Sequence, residues 1–222
     1  IYQACVRCMR AMFEQDCRLV IMACNTASAR TLRRLQQEFL PTYYPDRRIL
    51  GVVVPTIEEA IERGYRKLAV IGTDYTISTG IYTHELTKIN KDVEIVEKRT
   101  PLLVPLIEGG GEKYLDLVLD DYLAFTDGAA FDALLLGCTH YIHLKERIRA
   151  LYDFDVIAQD EIIPEKLALY LKRHPDIAGD ITVKGDFDFY VTDLTERYAH
   201  NAAMLFGRDI NVQLMEDVHE CT

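Results

Sequence analysis

The chain has 222 residues, a formal net charge of −10 and a composition that is 49% hydrophobic. This length suits one large domain or two small ones, with a core that needs no disulfide bonds. We find no apolar run near the ~20 residues of a membrane helix, and no secretory signal peptide. No basic stripe is present, so neither a membrane nor a nucleic acid is expected as a partner. A small anionic substrate remains compatible with the charge.

The sequence contains six cysteines, which we predict to be reduced thiols in the cytoplasm, since this is not a small secreted scaffold. Cys5 and Cys8 form a lone CxxC pair. A metal or redox role is one interpretation of that pair. We favour the other, in which they are two small apolar residues on a helix, and we predict no metal site.

The hydrophobic pattern, taken in chain order, predicts alternating strands and helices. The predicted strands are 18–23, 49–54, 67–72, 93–96, 133–137, 155–158, 187–192 and 210–215. The predicted helices are 1–17, 27–39, 56–64, 77–89, 113–125, 144–151, 164–172 and 195–206. Pro41 and Pro45 are expected to bracket a loop, and Thr56 to cap the helix that follows the second strand. This alternation predicts an α/β fold with a mostly parallel sheet and helices on both faces.

Two segments about half the chain apart, 19–26 and 133–140, share one plan. Each is a buried strand that ends in a small residue, then a cysteine (Cys24 or Cys138), then small polar residues and a helix. Ligands of parallel sheets bind beyond the carboxyl ends of the strands. A helix N-terminus there favours a thiolate and is expected to lower the thiol pKa. One cysteine at a strand end is usually a small buried residue, but two in matching contexts favour a functional pair.

A pair of opposed thiols suits the inversion of a stereocentre. One proton must leave one face of a carbon and another must arrive on the opposite face, so two fixed groups serve better than one. A thiolate and a thiol can fill these roles and exchange them with the hand of the substrate. Electrostatic stabilisation of the carbanion must supply much of the remaining rate enhancement.

At these residues the sequence resembles the glutamate racemase family. The segments 23–28 (Ala-Cys-Asn-Thr-Ala-Ser) and 136–141 (Leu-Gly-Cys-Thr-His-Tyr) match the two cysteine motifs of that family. Segments 70–77, 103–108 and 189–193 resemble its other motifs, so the resemblance covers almost the whole chain. It implies two similar parallel-sheet α/β domains facing each other across the active site. The implied domains are 1–50 plus 161–222, and 51–160, with one cysteine on each side.

The resemblance also implies the role of each site residue. The proton donor and acceptor pair is Cys24 and Cys138, with Glu108 and His140 tuning the thiols or relaying protons. The substrate's carboxylate and ammonium groups would be held by Asn25, Thr26, Thr139 and His140, joined by Thr73 and Thr76. Simpler roles remain open for several of these residues. His140 could be a hydrogen-bonding residue at a helix start, Glu108 a solvated loop charge, and the two threonines a turn and a cap.

Several family features are absent or altered. The family begins with a strand and an Asp-Ser-Gly loop that contacts the substrate, and this loop has no counterpart here. We therefore expect the chain to be a fragment that is less active than a longer form. Ile142 and His143 replace the usual Pro-Leu, and Thr100 stands where a cysteine is often found. These departures concern the identity of the substrate more than the class of reaction.

The resulting prediction is cofactor-independent racemisation of glutamate, which supplies D-glutamate for peptidoglycan. One alternative is a racemase of aspartate or a related acid. Another, from a different class, is a catalytically incompetent binding protein that keeps the fold. A homodimer is left open by the sequence.

Overall fold

The computed structural model describes residues 1–182, 185, 187–195, 202–203, 205–208 and 210–215. Strands and helices alternate along these residues. The strands are β1 (Leu19–Met22), β2 (Arg48–Gly51), β3 (Lys67–Gly72), β4 (Glu94–Arg99), β5 (Ala133–Gly137), β6 (Asp155–Ile157), β7 (Phe189–Val191) and β8 (Val212–Leu214). The helices are α1 (Tyr2–Glu14), α2 (Asn25–Arg34), α3 (Leu40–Tyr43), α4 (Val53–Glu62), α5 (Asp74–Ser78), α6 (Ile81–Ile89), α7 (Leu103–Glu108), α8 (Leu115–Leu123), α9 (Lys145–Leu151), α10 (Gln159–Arg173) and α11 (Pro175–Gly179).

All strand pairs in the described residues are parallel, and they form three sheets. β1 pairs with β2, the order β4-β3-β5-β6 makes a four-stranded sheet, and β7 pairs with β8. The predicted α/β class with parallel sheets is confirmed. The proposed division into 1–50 plus 161–222 and 51–160 stays a prediction. The predicted helix 195–206 falls largely on residues outside the described part of the chain.

The four-stranded sheet is buried on both faces because its central strands, β3 and β5, are apolar at every position after Lys67 at the start of β3. Successive side chains of a strand point to opposite faces. Ala69, Ile71, Leu134 and Leu136 accordingly pack against α7, α8 and α9. The alternate residues of β3 and β5 pack against α4, α6 and α10. This two-sided burial explains the unbroken apolar run of β5 and holds its carboxyl end firmly in place.

The smaller sheet of β1 and β2 is packed mainly from one side. Val20 and Met22 alternate toward a core that also contains Met9 and Phe13 of α1 and residues after α2. Ile21, between them, is only partly buried. The strand that leads to Cys24 therefore rests on a smaller core than the strand that leads to Cys138.

Two local expectations were wrong. Pro41 does not open a loop: the chain stays helical through a π-helical turn, Leu35–Phe39, and then α3, in which proline occupies the first turn. The wider turn accommodates a residue that has no N–H to donate. Thr56 is not a cap, because α4 already begins at Val53. Its hydroxyl instead donates to the carbonyl of Val52 at 2.6 Å.

The parallel register places the candidate site at one edge of the large sheet. Gly72 of β3 lies opposite Gly137 of β5, and each is the last residue of its strand. The residues that follow, Thr73 and Cys138, therefore leave the sheet side by side. Within the described residues, no helix is both long enough and apolar enough to cross a membrane.

Candidate functional site

Cys24 stands at the junction between β1 and α2. It is exposed, and it is the N-cap residue of α2 with extended backbone angles. Its carbonyl accepts the first helical hydrogen bond from the N–H of Ser28, at 2.9 Å, and the Ser28 hydroxyl donates to the carbonyl of Met22. These two hydrogen bonds from Ser28 fix the turn between strand and helix, and the thiol lies at the carboxyl end of the strand.

Cys138 occupies the corresponding place after β5, in a different environment. It is 8% exposed and belongs to the core on one face of the large sheet. It is the N-cap residue of a 3₁₀ helix, Thr139–Leu144, whose first residue is the predicted substrate-binding Thr139. Both cysteines therefore precede helical segments, as predicted, but one is open to solvent and the other is not.

The pKa prediction fails for Cys138. Burial, the largest cause, raises the pKa of this thiol to about 11. Hydrogen bonds from the backbone N–H groups of His140 and Tyr141 lower it, as expected at a helix start, but they do not offset the loss of hydration. The negative charge of Cys24 raises it further, which is an electrostatic coupling between the two sulfurs. The net effect is that Cys138 is held as the neutral thiol.

A chain of three side chains runs from Cys138 to Glu108. The sulfur lies 3.8 Å from Nδ1 of His140, and Nε2 of His140 lies 2.8 Å from Oε1 of Glu108. Because a carboxylate only accepts hydrogen bonds, Nε2 carries the proton toward Glu108, and Nδ1 can accept one from the thiol. The structure therefore brings together three of the predicted catalytic residues. Glu108 is the last residue of α7, so it is not in a loop.

Three predicted threonine hydroxyls meet where the two cysteine segments approach each other. Oγ1 of Thr26 lies 3.0 Å from Oγ1 of Thr73 and 3.0 Å from Oγ1 of Thr76. Thr73 also caps α5, by accepting a hydrogen bond from the Thr76 N–H at 3.2 Å. The cap and the contact with Thr26 coexist in one side chain. This cluster links the Cys24 turn to the residue beside Cys138.

Asn25 lies deeper than the prediction of direct substrate contact requires. Its side chain is buried, and its amide exchanges two 2.9 Å hydrogen bonds with the amide of Gln159, the first residue of α10. Tyr82 of α6 also donates to Oδ1 of Asn25, at 2.8 Å. No sequence motif marked Gln159 or Tyr82, because a single buried polar residue has no characteristic spacing. The backbone of Asn25, in the first turn of α2, remains at the site.

The CxxC pair lies away from this region. Cys5 and Cys8 are half-buried on α1, and Cys5 packs against the core of the small sheet. The five cysteines that the structure describes are free thiols. In the same part of the chain, no three His, Cys, Asp or Glu side chains converge as metal ligands would.

Comparison with known proteins identifies the family of this chain. The family model described as Asp/Glu/Hydantoin racemase matches residues 2–163. A glutamate racemase of Persephonella marina is 30% identical over 220 residues, which is 98% of this chain and 80% of that protein. A glutamate racemase of Limosilactobacillus reuteri is 37% identical over 150 residues, or 67% of this chain and 54% of that protein.

Solved structures give the same result for the fold. The glutamate racemase of Aquifex pyrophilus superposes with a TM-score of 0.73 at 30% identity, covering 98% of this chain and 81% of that one. Glutamate racemase isoform RacE1 of Bacillus anthracis superposes at 0.83 with 24% identity, covering 97% and 80%. The resemblance seen in the cysteine motifs is thereby confirmed, together with the two-domain α/β fold. This chain belongs to the Asp/Glu/hydantoin racemase family, in its glutamate racemase branch.

Proposed function

We propose that this chain interconverts L- and D-glutamate by a two-base mechanism in which Cys24 and Cys138 act on opposite faces of the α-carbon. One observation carries the proposal. The two cysteines sit at matching strand ends, close enough for the charge of one to raise the pKa of the other. The names of relatives that cover almost the whole chain support the substrate.

For one enantiomer, Cys138 acts as the base. Its S–H proton passes to Nδ1 of His140, and Glu108 stabilises the resulting imidazolium. The thiolate then takes the α-proton, and the C–H electron pair remains on the α-carbon, delocalised into the carboxylate. The Cys24 thiol delivers its proton to the opposite face. The ammonium group of a bound substrate would favour thiolate formation, since a nearby positive charge stabilises an anion.

For the other enantiomer, the roles are reversed. A Cys24 thiolate removes the α-proton, and Cys138, which burial holds as a thiol, donates its own. Because it is buried, Cys138 is suited to begin this direction of the reaction as the acid. Two sets of donors are proposed for the substrate's carboxylates. One set is the hydroxyls of Thr26, Thr73 and Thr76. The other is the backbone N–H groups at the start of α2 and after Cys138. Thr139 and the side chain of His140 complete this proposed set.

The biological setting is part of the proposal. A glutamate racemase in the cytoplasm would supply D-glutamate for peptidoglycan. The assignment of residues 1–50 plus 161–222 to one domain and 51–160 to the other is supported by the separate sheets that carry β1 and β5. In that division each cysteine approaches the substrate from its own domain.

A chiral assay of the purified chain tests the substrate and the class of function. It would be supplied with each enantiomer of glutamate and of aspartate, without pyridoxal phosphate or metal. We expect both glutamate enantiomers to be interconverted and aspartate to be turned over much more slowly. Preference for aspartate would favour the alternative racemase. Binding of glutamate without any turnover would favour a binding protein of the same fold.

A further inference from the structure

The side chain of Tyr82 lies between the neighbours of the two cysteines. Its ring is fully buried, and its Cε2 atom would lie 3.3 Å from a Cβ built at Gly137, the residue before Cys138. Its hydroxyl donates at 2.8 Å to Oδ1 of Asn25, the residue after Cys24. One rigid side chain thus lies next to both cysteine segments, with its ring beside Gly137 and its hydroxyl bonded to Asn25.

The polar end of this side chain is fixed by further bonds. Gln159 donates from Nε2 to Oδ1 of Asn25 at 2.9 Å and lies 3.3 Å from the Tyr82 hydroxyl. The same amide nitrogen lies 3.2 Å from the hydroxyl of Thr56 in α4. These four residues are all buried, so their hydrogen bonds do not compete with water. Burial raises the pKa of the Tyr82 phenol, so the hydroxyl stays protonated and remains a donor.

We propose that Tyr82 is a positioning residue that sets the separation between the thiols of Cys24 and Cys138, acting through Gly137 on one side and Asn25 on the other. The proposal rests on the proposed two-thiol function, because only a two-sided site requires a fixed separation. Gly137 has no Cβ, and one built there would lie 2.8 Å from the backbone oxygen of Ile71 and 3.3 Å from the ring, so no side chain fits between the ring and the end of β5.

The Cys24 side has the greater need for such a contact. Cys24 is exposed and follows a strand whose sheet has two strands in the described residues, whereas Cys138 follows the buried β5. Proton transfer at both faces needs both sulfurs in place at the same time. Misplacement of a reacting group by ~1 Å can cost on the order of 10²-fold in rate.

The Tyr82→Phe variant removes only the hydroxyl and keeps the ring against Gly137. Its matched control is Tyr65→Phe, because Tyr65 donates its hydroxyl to Asp155 at the opposite edge of the same sheet. Tyr65→Phe removes a hydroxyl that donates to Asp155, whereas Tyr82→Phe removes one that donates to Asn25 and accepts from Gln159. The control therefore accounts for the loss of a tyrosine hydroxyl elsewhere on the same sheet. Thermal unfolding of both variants verifies that they are folded before they are compared.

The test is cross-linking of Cys24 to Cys138 in the full chain, with a graded series of bis-methanethiosulfonate linkers and peptide mapping by mass spectrometry. We expect the unsubstituted chain and Tyr65→Phe to show a sharp optimum of linker length. For Tyr82→Phe we expect a flattened profile, with the maximum yield reduced severalfold. An unchanged profile in Tyr82→Phe would overturn the proposal, as would a flattened profile in both variants.

Steady-state kinetics supply an independent readout. In Tyr82→Phe, kcat for glutamate should fall ~10-fold, with little change in KM, because a positioning defect acts mainly on the transition state. Cross-linking requires no turnover, so it tests Tyr82 even if the proposed reaction is wrong. Suppose that the chain racemises glutamate and that Tyr82→Phe leaves the dependence of cross-linking yield on linker length unchanged. That result would refute the positioning role and leave the proposed function intact.

Discussion

The two cysteine segments have nearly the same sequence plan and very different surroundings. Cys138 follows β5, a central strand of the four-stranded sheet, is 8% exposed, and is followed in its hydrogen-bonded chain by His140 and Glu108. Cys24 follows β1, a strand of the two-stranded sheet, and is exposed. The shared plan places both thiols at strand ends, whereas the surroundings decide which thiol is held in the protonated form.

In the proposed mechanism, this difference lets one motif serve two roles. A two-base racemase needs an acid on one face of the substrate and a base on the other. Burial raises the pKa of the Cys138 thiol, and negative charge on Cys24 raises it further, so Cys138 is held in its protonated form. In the proposed mechanism, His140 and Glu108 then provide a route by which the buried thiol loses its proton when it acts as the base.

Replacing either cysteine should have the largest effect. Cys24→Ala and Cys138→Ala should each reduce racemisation by ~10²-fold or more, because each removes the acid or base on one face. Cys8→Ala is the matched control, since Cys8 is a half-buried thiol on α1 outside the proposed site. Chiral chromatography of glutamate measures all three variants. Near-normal activity in either Cys24→Ala or Cys138→Ala would contradict the proposal that the two cysteines act together as acid and base.

Weakening the relay should have a smaller effect. Glu108→Gln should lower kcat/KM ~10-fold, the loss of part of a positioned acid–base contribution. The decrease in kcat/KM should be the same for conversion of L- to D-glutamate and of D- to L-glutamate, because the two enantiomers have equal free energies. The asymmetry should appear in the α-deuterium isotope effect, which should increase for the enantiomer whose proton Cys138 removes. Equal isotope effects for both enantiomers would argue against a relay that serves one cysteine.

The electrostatic coupling predicts the smallest change. Cys24→Ser removes a negative charge that opposes the Cys138 thiolate, so the pKa of Cys138 should fall below about 11. The fall should be modest, because burial is the larger cause and is unchanged. The pH dependence of Cys138 alkylation, followed by mass spectrometry, measures the shift. An unchanged pKa would contradict the electrostatic coupling between the two sulfurs.

The sequence predicts the features that leave a local pattern, either a run of apolar residues or a motif. Strands β3 and β5 have the predicted bounds because continuous apolar runs ended by glycine are unambiguous. The cysteine, threonine, histidine and glutamate residues came from motifs, and the structure brings Cys138, His140 and Glu108 together.

The missed features depend on tertiary contacts. The pKa of Cys138 was predicted to fall, because local sequence reveals the helix start but not the depth of burial. Tyr82 and Gln159 carry no motif, and their importance comes from meeting Asn25 across 57 and 134 residues of chain. The helical conformation through Pro41 depends on a π-helical turn that residue type alone does not reveal.

Isotope incorporation in heavy water tests the two-thiol account most directly. Racemisation begins with one unlabelled enantiomer of glutamate, and mass spectrometry follows the α-position of product and remaining substrate at early times. With separate thiols on the two faces, the product should carry deuterium at once, while the remaining substrate stays unlabelled. Equal early labelling of both pools, or transfer of the original proton into the product, would contradict it, because either result requires a single base or a free carbanion.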